Sequence, residues 1–150
     1  MSIPYRTESA RIAAGLLSAA ALAGAAALHG LWGAGSTWPT GSSDELADLV
    51  VGRRPMPGRA ACASVAVLLA GAALVTAHAT IGTGRSVRRS RTVAAFAATA
   101  LLTRGLGGGV AEAAAIGNST PGFSRWNRRL YSPLCVALGV LILAGRRVRS

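Results

Sequence analysis

The sequence predicts an all-α integral membrane protein, a four-helix bundle that forms a single transmembrane domain over residues 1–150. Two observations lead to this prediction. Half of the residues are apolar (51%), and only 14% are charged. The apolar residues, mostly Ala, Leu, Val and Gly, also form long blocks that are apolar on every side, as expected of helices that contact lipid.

Four of these blocks are candidates to cross a bilayer. About 20 helical residues, at about 1.5 Å each, span roughly 30 Å of hydrocarbon. The predicted spans cover about 12–31, 60–81, 92–110 and 130–144. The fourth is short unless the basic turn at 125–129 joins it. The first block also has features of a signal peptide, but the three apolar blocks that follow favour a retained helix.

The longest polar segment, residues 33–59, connects the first two spans and contains several Pro and Gly residues. Within it, Asp44, Glu45 and Asp48 open a short stretch that predicts a surface helix ending near Val51. Acidic residues in a first turn support this interpretation because they interact favourably with the positive end of the helix dipole.

The charge pattern fits a membrane better than a nucleic acid. All sixteen basic residues are arginine, and the net charge is +11. A nucleic-acid-binding protein gathers such residues on one amphipathic face with aromatic residues between them. Here the arginines flank the apolar blocks, as the positive-inside rule expects of membrane proteins. We therefore expect membrane lipid as a partner and no nucleic acid.

The same rule predicts the orientation. Four spans place both termini on one side of the membrane, and that side collects most of the arginines: Arg6, Arg11, Arg85, Arg88, Arg89, Arg91, Arg146, Arg147 and Arg149. The other side carries most of the acidic residues. The sequence therefore predicts a multi-pass protein of the cell membrane with both termini in the cytoplasm.

Three motifs support a family resemblance. HxxWxxGxxWP (residues 29–39) leaves the first span, RGxGG (residues 104–108) lies in the third, and LYSPLC (residues 130–135) enters the fourth. Together they resemble a bacterial family of small four-span membrane proteins classed as a domain of unknown function. The resemblance covers most of the chain and implies a four-helix fold, but no activity. Small bacterial membrane proteins of this size also include terpene cyclases, which is an analogy of size and setting.

The predicted topology places the polar side chains of the spans in the outer half of the bilayer. Spans one and three end there, and spans two and four begin there; the residues concerned are His29, Trp32, Cys62, Arg104, Glu112, Asn127, Arg128, Tyr131, Ser132 and Cys135. His78 falls near the opposite face. A metal site that combines His29 with His78 is therefore not expected, and the sequence predicts no metal.

Arg104 and Glu112 are the most informative of these residues. An ionised side chain inside a membrane costs about 3 kcal/mol or more, so Arg104 is expected to face the bundle interior, a carboxylate or a ligand. The alternative is that its guanidinium snorkels to the outer interface. Glu112 lies on a similar face of the same helix and could donate a proton, as a partly dry carboxylic acid. Its alternative is an ordinary carboxylate in water at a helix end.

The aromatic residues also allow two interpretations. Trp32, Trp38 and Tyr131 suit an interfacial aromatic belt or, alternatively, the wall of a site for a cationic or apolar ligand. His29 lies one turn before Trp32, so the two side chains can share a helix face. The two cysteines, Cys62 and Cys135, belong to spans that are diagonal in a bundle wound in chain order, which predicts two free thiols.

Two functions remain open from the sequence. In the first, the protein is a membrane-bound cyclase or isomerase that starts the cyclisation of an isoprenoid small molecule with a proton. Its candidate catalytic residues are Glu112, His29 and Arg104, and its candidate substrate-binding residues are Trp32, Trp38, Tyr131 and Asn127. In the second, it is a non-catalytic accessory or lipid-binding protein, in which Arg104, Arg128 and Arg129 hold a lipid phosphate or an acidic partner. Motifs for a nucleotide, a metal or a prenyl diphosphate are missing, so we expect no cofactor.

Overall fold

The computed structural model describes the backbone of residues 3–114 and 119–146, with the side chains of residues 7–111, 114 and 119–146. The described chain is helical and contains no strand. Its helices are α1 (Ile3–Gly33), α2 (Ser43–Val50), α3 (Arg59–Ile81), α4 (Ser86–Ala113), α5 (Pro121–Trp126) and α6 (Ser132–Gly145), with a π-helical turn over Asn127–Tyr131 that joins α5 to α6.

Four stretches are long and apolar enough to cross a membrane: Thr7–Gly33, Arg59–Ile81, Ser86–Ala111 and Pro121–Gly145. Their outward faces carry large apolar side chains, such as Leu74 (73% exposed) and Phe96 (71% exposed). Such faces need a lipid environment, because soluble monomers rarely expose large apolar patches. The prediction of an all-α, four-span integral membrane bundle is confirmed.

Two helix boundaries differ from the prediction. Arg88, Arg89 and Arg91 lie in the first turns of α4 and not in a loop, because residues 85–104 contain no Pro or Gly that would interrupt the helix. The basic turn at 125–129 joins the fourth span, which is thereby long enough to cross the bilayer. The predicted surface helix is present as α2, where the Ser42 hydroxyl accepts a hydrogen bond from the Glu45 N–H.

The four long helices form a ring in chain order. α1 packs against α3 and α6, α4 packs against the same two helices, and α3 scarcely touches α6. The core between them consists mainly of Ala and Leu, with Leu22, Ala98 and Ile142 among its buried residues. Cys62 on α3 and Cys135 on α6 thus belong to diagonal helices, and both are free thiols, as predicted.

Glycines allow α6 to approach its neighbours closely. A Cβ atom at Gly139 would lie 2.7 Å from the Leu102 Cγ of α4, and one at Gly145 would lie 2.7 Å from the backbone nitrogen of Gly15 in α1. Larger residues at these positions would push the helices apart. In particular, the α4–α6 contact depends on this close approach.

One end of the bundle, here called the terminal end, contains the beginning of α1, the α3–α4 turn and the end of α6. Arg11 ties these elements together. Its Nη1 donates to the carbonyl oxygens of Gly145 (2.7 Å) and Thr80 (3.2 Å), while its Nε and Nη2 donate to Glu8. The last carbonyls of a helix lack partners within the helix and carry partial negative charge. Arg11 therefore links the C-terminal ends of α3 and α6 to α1.

The opposite end, here called the loop end, holds α2 against α5. The Thr120 N–H donates to the Gly52 carbonyl (2.9 Å), and the Thr120 hydroxyl donates to the Asp48 carbonyl. Gly52 has a φ of 83°, and a Cβ there would lie 2.8 Å from the Phe123 ring. Only glycine fits this contact without strain. The long polar segment is thus docked on the start of the fourth span.

Candidate functional site

Arg104 lies in α4 toward the loop end, and its side chain is exposed at the surface of the bundle. Of the predicted surroundings, the bundle interior is therefore excluded, whereas a ligand for Arg104 stays a prediction, as does the alternative that it snorkels to the interface. The next residue, Gly105, points at α6 instead: a Cβ there would lie 2.7 Å from the Val136 Cγ2. Successive residues of a helix are about 100° apart, so the side chain of Arg104 points away from this tight contact. It lies along the edge of the α4–α6 contact.

The Arg104 side chain is held by an amide and not by a carboxylate. Its Nη2 donates a hydrogen bond to the Asn127 Oδ1 (3.1 Å). The guanidinium also lies over Gly108, where any Cβ atom would overlap it. The RGxGG motif therefore serves two purposes, since Gly105 allows helix packing and Gly108 leaves room for the arginine. α4 continues beyond the motif without a break.

The π-helical turn explains how Asn127 reaches this position. The Ser132 N–H donates to the Asn127 carbonyl, five residues back, and the Ser132 hydroxyl donates to the Asn127 Oδ1 (3.1 Å). Pro133 follows directly. A proline within a helix lacks an N–H, and its ring clashes with the carbonyl four residues earlier, here that of Arg129. A widened turn before Pro133 accommodates the ring, and such turns are frequent at functional sites.

Asn127 is the centre of this group. It is only 1% exposed, and its Nδ2 donates to the Gly108 carbonyl (3.3 Å) while its Oδ1 accepts from Arg104 and Ser132. A buried amide with these bonds is well satisfied. The sequence suggested Asn127 as a substrate-binding residue. Its burial instead suits a positioning role, in which it orients Arg104. We call Arg104, Gly108, Asn127 and Ser132 the Arg104 cluster.

An open groove of about 540 Å³ runs between α4 and α6 beside this cluster. Its lining comprises Gly105, Gly109, Arg128, Ser132, Pro133, Val136 and Ala137. One end of the groove therefore offers a guanidinium and a hydroxyl, and the remainder offers apolar side chains and glycine backbone. This combination is suited to a molecule with a polar, anionic head and a hydrocarbon chain.

His29, Trp32 and Trp38 form a second group, here called the tryptophan group. The rings of His29 and Trp32 meet edge to face with centroids 4.9 Å apart, so the two side chains share a helix face as predicted. The His29 Nδ1 bonds the Ala25 carbonyl (2.9 Å), and the Trp32 Nε1 donates to the Trp38 carbonyl (2.8 Å). The Trp38 side chain is 62% exposed, as suits an aromatic residue at a membrane interface.

The two groups lie on different helices. The tryptophan group belongs to α1 and the loop that follows it, whereas the Arg104 cluster belongs to α4 and the start of the fourth span. Since α1 and α4 are diagonal in the ring, the structure divides the candidate site residues between two places. His78 lies at the terminal end, where its Nε2 is 3.1 Å from the Ser86 hydroxyl, so it is distant from His29 as predicted.

Tyr131 joins neither group. Its hydroxyl donates to the Leu49 carbonyl (3.3 Å), and its ring packs against Phe123 with centroids 6.0 Å apart. It thus helps to dock α2 on the fourth span. Glu112 belongs to α4, but its side chain lies outside the described residues, so its role as an acid stays a prediction. Where side chains are described, His, Cys, Asp and Glu do not gather into a group that could hold a metal.

The acidic residues of α2 have their own partner. Arg54 forms ion pairs with Asp44 (3.3 Å) and with Asp48, and its guanidinium holds the pKa of Asp48 below the ordinary value. The Glu45 carboxylate accepts from the Gly41 N–H (3.0 Å). These acids therefore stabilise the loop end. Among the described side chains, no carboxylate forms a salt bridge with Arg104.

The fold defines a small four-span integral membrane protein, and an open groove with an arginine in its lining runs between two of its spans. The chain belongs to the family described as "Protein of unknown function (DUF3995)", whose model matches residues 22–142. The resemblance to a family of unknown function is thereby confirmed. The matched range includes both the tryptophan group and the Arg104 cluster. Comparisons with curated proteins and with solved structures give no match.

Proposed function

We propose that this protein binds a phosphate-bearing membrane lipid in the groove between α4 and α6, without catalysing a reaction. The observation that carries the proposal is the set of partners around the Arg104 guanidinium, which includes no counter-charge among the described residues. The guanidinium is positioned by the neutral Asn127, whose Oδ1 also accepts from Ser132 of the groove lining. This corresponds to the second function that the sequence left open.

The charge of Arg104 is the first argument. An arginine within a transmembrane helix costs about 3 kcal/mol or more unless it meets a counter-charge or water. A guanidinium has five N–H donors, and Asn127 accepts from Nη2 only. A phosphate carries negative charge and several acceptor oxygens, and it binds guanidinium groups bidentately. Arg128 lines the same groove and adds a second positive charge.

The shape of the groove is the second argument. Beyond its polar end, the lining consists of Pro133, Val136, Ala137 and glycine backbone, and the groove opens toward the outside of the bundle. A lipid can therefore enter sideways from the bilayer, with its phosphate at the arginines and one chain against the apolar lining. A soluble anion would make the polar contacts but would gain nothing from this lining.

The cyclase hypothesis stays a prediction. It requires an acid at the site, which would be Glu112, and aromatic rings to stabilise a developing carbocation. The groove is lined by an arginine, and positive charge there disfavours a carbocation. The predicted aromatic residues Trp32 and Trp38 lie on the α1 side of the bundle. The groove geometry therefore favours lipid binding over cyclisation.

Binding to an alkyl phosphate tests the proposal. Purified protein in a neutral detergent is expected to bind dodecyl phosphate, measured by isothermal titration calorimetry, and to bind inorganic phosphate and an uncharged dodecyl glycoside much more weakly. Arg104→Gln should lower the affinity for dodecyl phosphate about tenfold or more, since a charge-assisted hydrogen bond contributes about 1.5–3 kcal/mol.

The matched control is Arg53→Gln, which removes the same charge from an exposed position of the loop end, outside the groove lining. It should leave the affinity unchanged. If Arg104→Gln binds dodecyl phosphate as the wild type does, the groove is not the lipid site. If inorganic phosphate binds as tightly as dodecyl phosphate, the ligand is a soluble anion and the proposal is wrong.

We also propose that the protein lies in the cell membrane with both termini in the cytoplasm, so that the groove faces the outer leaflet. The test uses Cys62→Ala/Cys135→Ala protein that carries one new cysteine. A membrane-impermeant maleimide added to intact cells should label Ser43→Cys in α2, and it should label Thr83→Cys in the α3–α4 turn only after permeabilisation. The reverse pattern would invert the orientation and assign the groove to the inner leaflet.

A further inference from the structure

A second pair of arginines lies on the α4–α6 contact, at the terminal end and away from the groove. The Arg146 Nη1 donates to the carbonyl oxygen of Arg91 at 3.5 Å, which places the Arg146 guanidinium beside the first turns of α4. Both residues are partly buried. The Nε atoms of both side chains are buried, and neither has a hydrogen-bond partner among the described residues. We call these two residues the Arg91–Arg146 pair.

This arrangement is costly for the protein alone. A buried donor without an acceptor costs about 1–3 kcal/mol, and more if it is charged. Among the side chains that the structure describes at the terminal end, the acidic one is Glu8, and it pairs with Arg11. Near the pair in the sequence, α4 adds the exposed Arg88 and Arg89, and Arg85 directly precedes the helix. An anion beside the pair would remove this cost.

We propose that the Arg91–Arg146 pair binds the phosphate of an anionic phospholipid, at a site separate from the groove. Arg146 uses Nη1 for the Arg91 carbonyl, so the edge formed by Nε and Nη2 remains for a ligand. That edge matches two oxygens of one phosphate. Both arginines have long side chains, so modest rotations can turn these edges toward a headgroup at the membrane surface.

The surroundings favour a lipid over a soluble phosphate. Beyond Arg91, α4 presents the exposed apolar residues Val93 and Phe96 on its outward face, where the acyl chains of a bound lipid would lie. Basic pockets between helices at a membrane surface are typical sites for phospholipid headgroups. Arg91 also lies about 20 Å along α4 from Arg104. This lipid therefore belongs to the leaflet opposite the one that supplies the groove.

Native mass spectrometry of the full-length protein tests the site. Protein in mixed micelles is offered phosphatidylglycerol and phosphatidylcholine with identical acyl chains. The wild type is expected to retain phosphatidylglycerol about tenfold better than phosphatidylcholine, and Arg91→Gln/Arg146→Gln should lose this preference. The control Arg85→Gln/Arg88→Gln removes the same charge from two exposed positions, one directly before α4 and one in its first turn, and should keep the preference. Arg104→Gln should also keep it, which separates this site from the groove.

A variant that retains charge covers the case in which the double glutamine variant fails to fold. Arg91→Lys/Arg146→Lys keeps both charges but removes the bidentate edges, so its preference should fall severalfold. The proposal is overturned if either double variant of the pair, once folded, keeps the full preference. Equal loss in the Arg85/Arg88 control would assign the effect to diffuse surface charge. Release of the lipid by millimolar inorganic phosphate would assign the site to a soluble anion. Either this release or an equal loss in the Arg85/Arg88 control would contradict the proposal.

Discussion

Asn127→Asp is expected to abolish lipid-phosphate binding in the groove, with a loss of about a hundredfold or more in affinity for dodecyl phosphate. The two side chains have the same shape, but the aspartate places a full negative charge 3.1 Å from the Arg104 Nη2. Arg104 would then be neutralised by the protein itself, and the carboxylate would repel the incoming phosphate. This substitution should therefore weaken binding more than Arg104→Gln does.

Titration calorimetry with dodecyl phosphate measures this effect, with Ser132→Ala as the matched control. The control removes the hydroxyl that donates to the same Oδ1 atom but adds no charge, so its affinity should fall only a few fold. Thermal unfolding in the same detergent verifies that Asn127→Asp is folded, because the aspartate also loses the bond from Nδ2 to the Gly108 carbonyl. A folded Asn127→Asp protein with wild-type affinity would show that the ligand does not meet Arg104.

Arg11→Ala is expected to have the largest effect on stability, a loss of about 3 kcal/mol in the free energy of unfolding. The substitution removes the donor to the last carbonyls of two helices, those of Thr80 and Gly145. Because these carbonyls lie at the negative ends of α3 and α6, the loss includes both the hydrogen bonds and the favourable charge–dipole interaction. The terminal end of the bundle should loosen as a consequence.

Glu8→Gln is the control for the ion pair. Glu8 is 49% exposed, and exposed pairs contribute about 1 kcal/mol or less, so this variant should be only slightly less stable than the wild type. Arg11→Lys keeps the charge with fewer donors and should be intermediate. Unfolding in mixed micelles of increasing dodecyl sulfate content measures all three variants. Equal losses for Arg11→Ala and Glu8→Gln would mean that the contacts with the helix ends add no stability.

The four spans were predictable because a bilayer imposes a length and an apolar composition that single blocks of sequence display directly. The helix ends were less predictable. The first turns of α4 contain Arg88, Arg89 and Arg91, which mark the edge of the hydrocarbon but do not mark the end of a helix. Hydropathy indicates where the hydrocarbon begins, whereas the start of α4 is set by the backbone at Gly84, whose φ of 84° is not helical.

The site was predictable only in part, for a related reason. Arg104 was evident because a charge within an apolar block is conspicuous. Its partner Asn127 comes from another helix, and the side to which Arg104 points depends on the packing of Gly105 against α6. The sequence contains one local signal that could have revealed the site, Pro133 just inside the fourth span. A proline there requires a distorted turn, and that turn carries Asn127 and Ser132.

The widened turn also changes the directions in which side chains point around the axis of the fourth span. In an uninterrupted α-helix, residues five positions apart point in directions about 140° apart, so Asn127 and Ser132 would not face the same neighbour. The extra residue of the turn brings them back into hydrogen-bonding contact. The turn itself and α6 therefore both contact α4, whereas α5, upstream of the turn, packs against α2. The length of this stretch is consequently as important as its composition, since one residue more or fewer would rotate α5 by about 100° relative to α6.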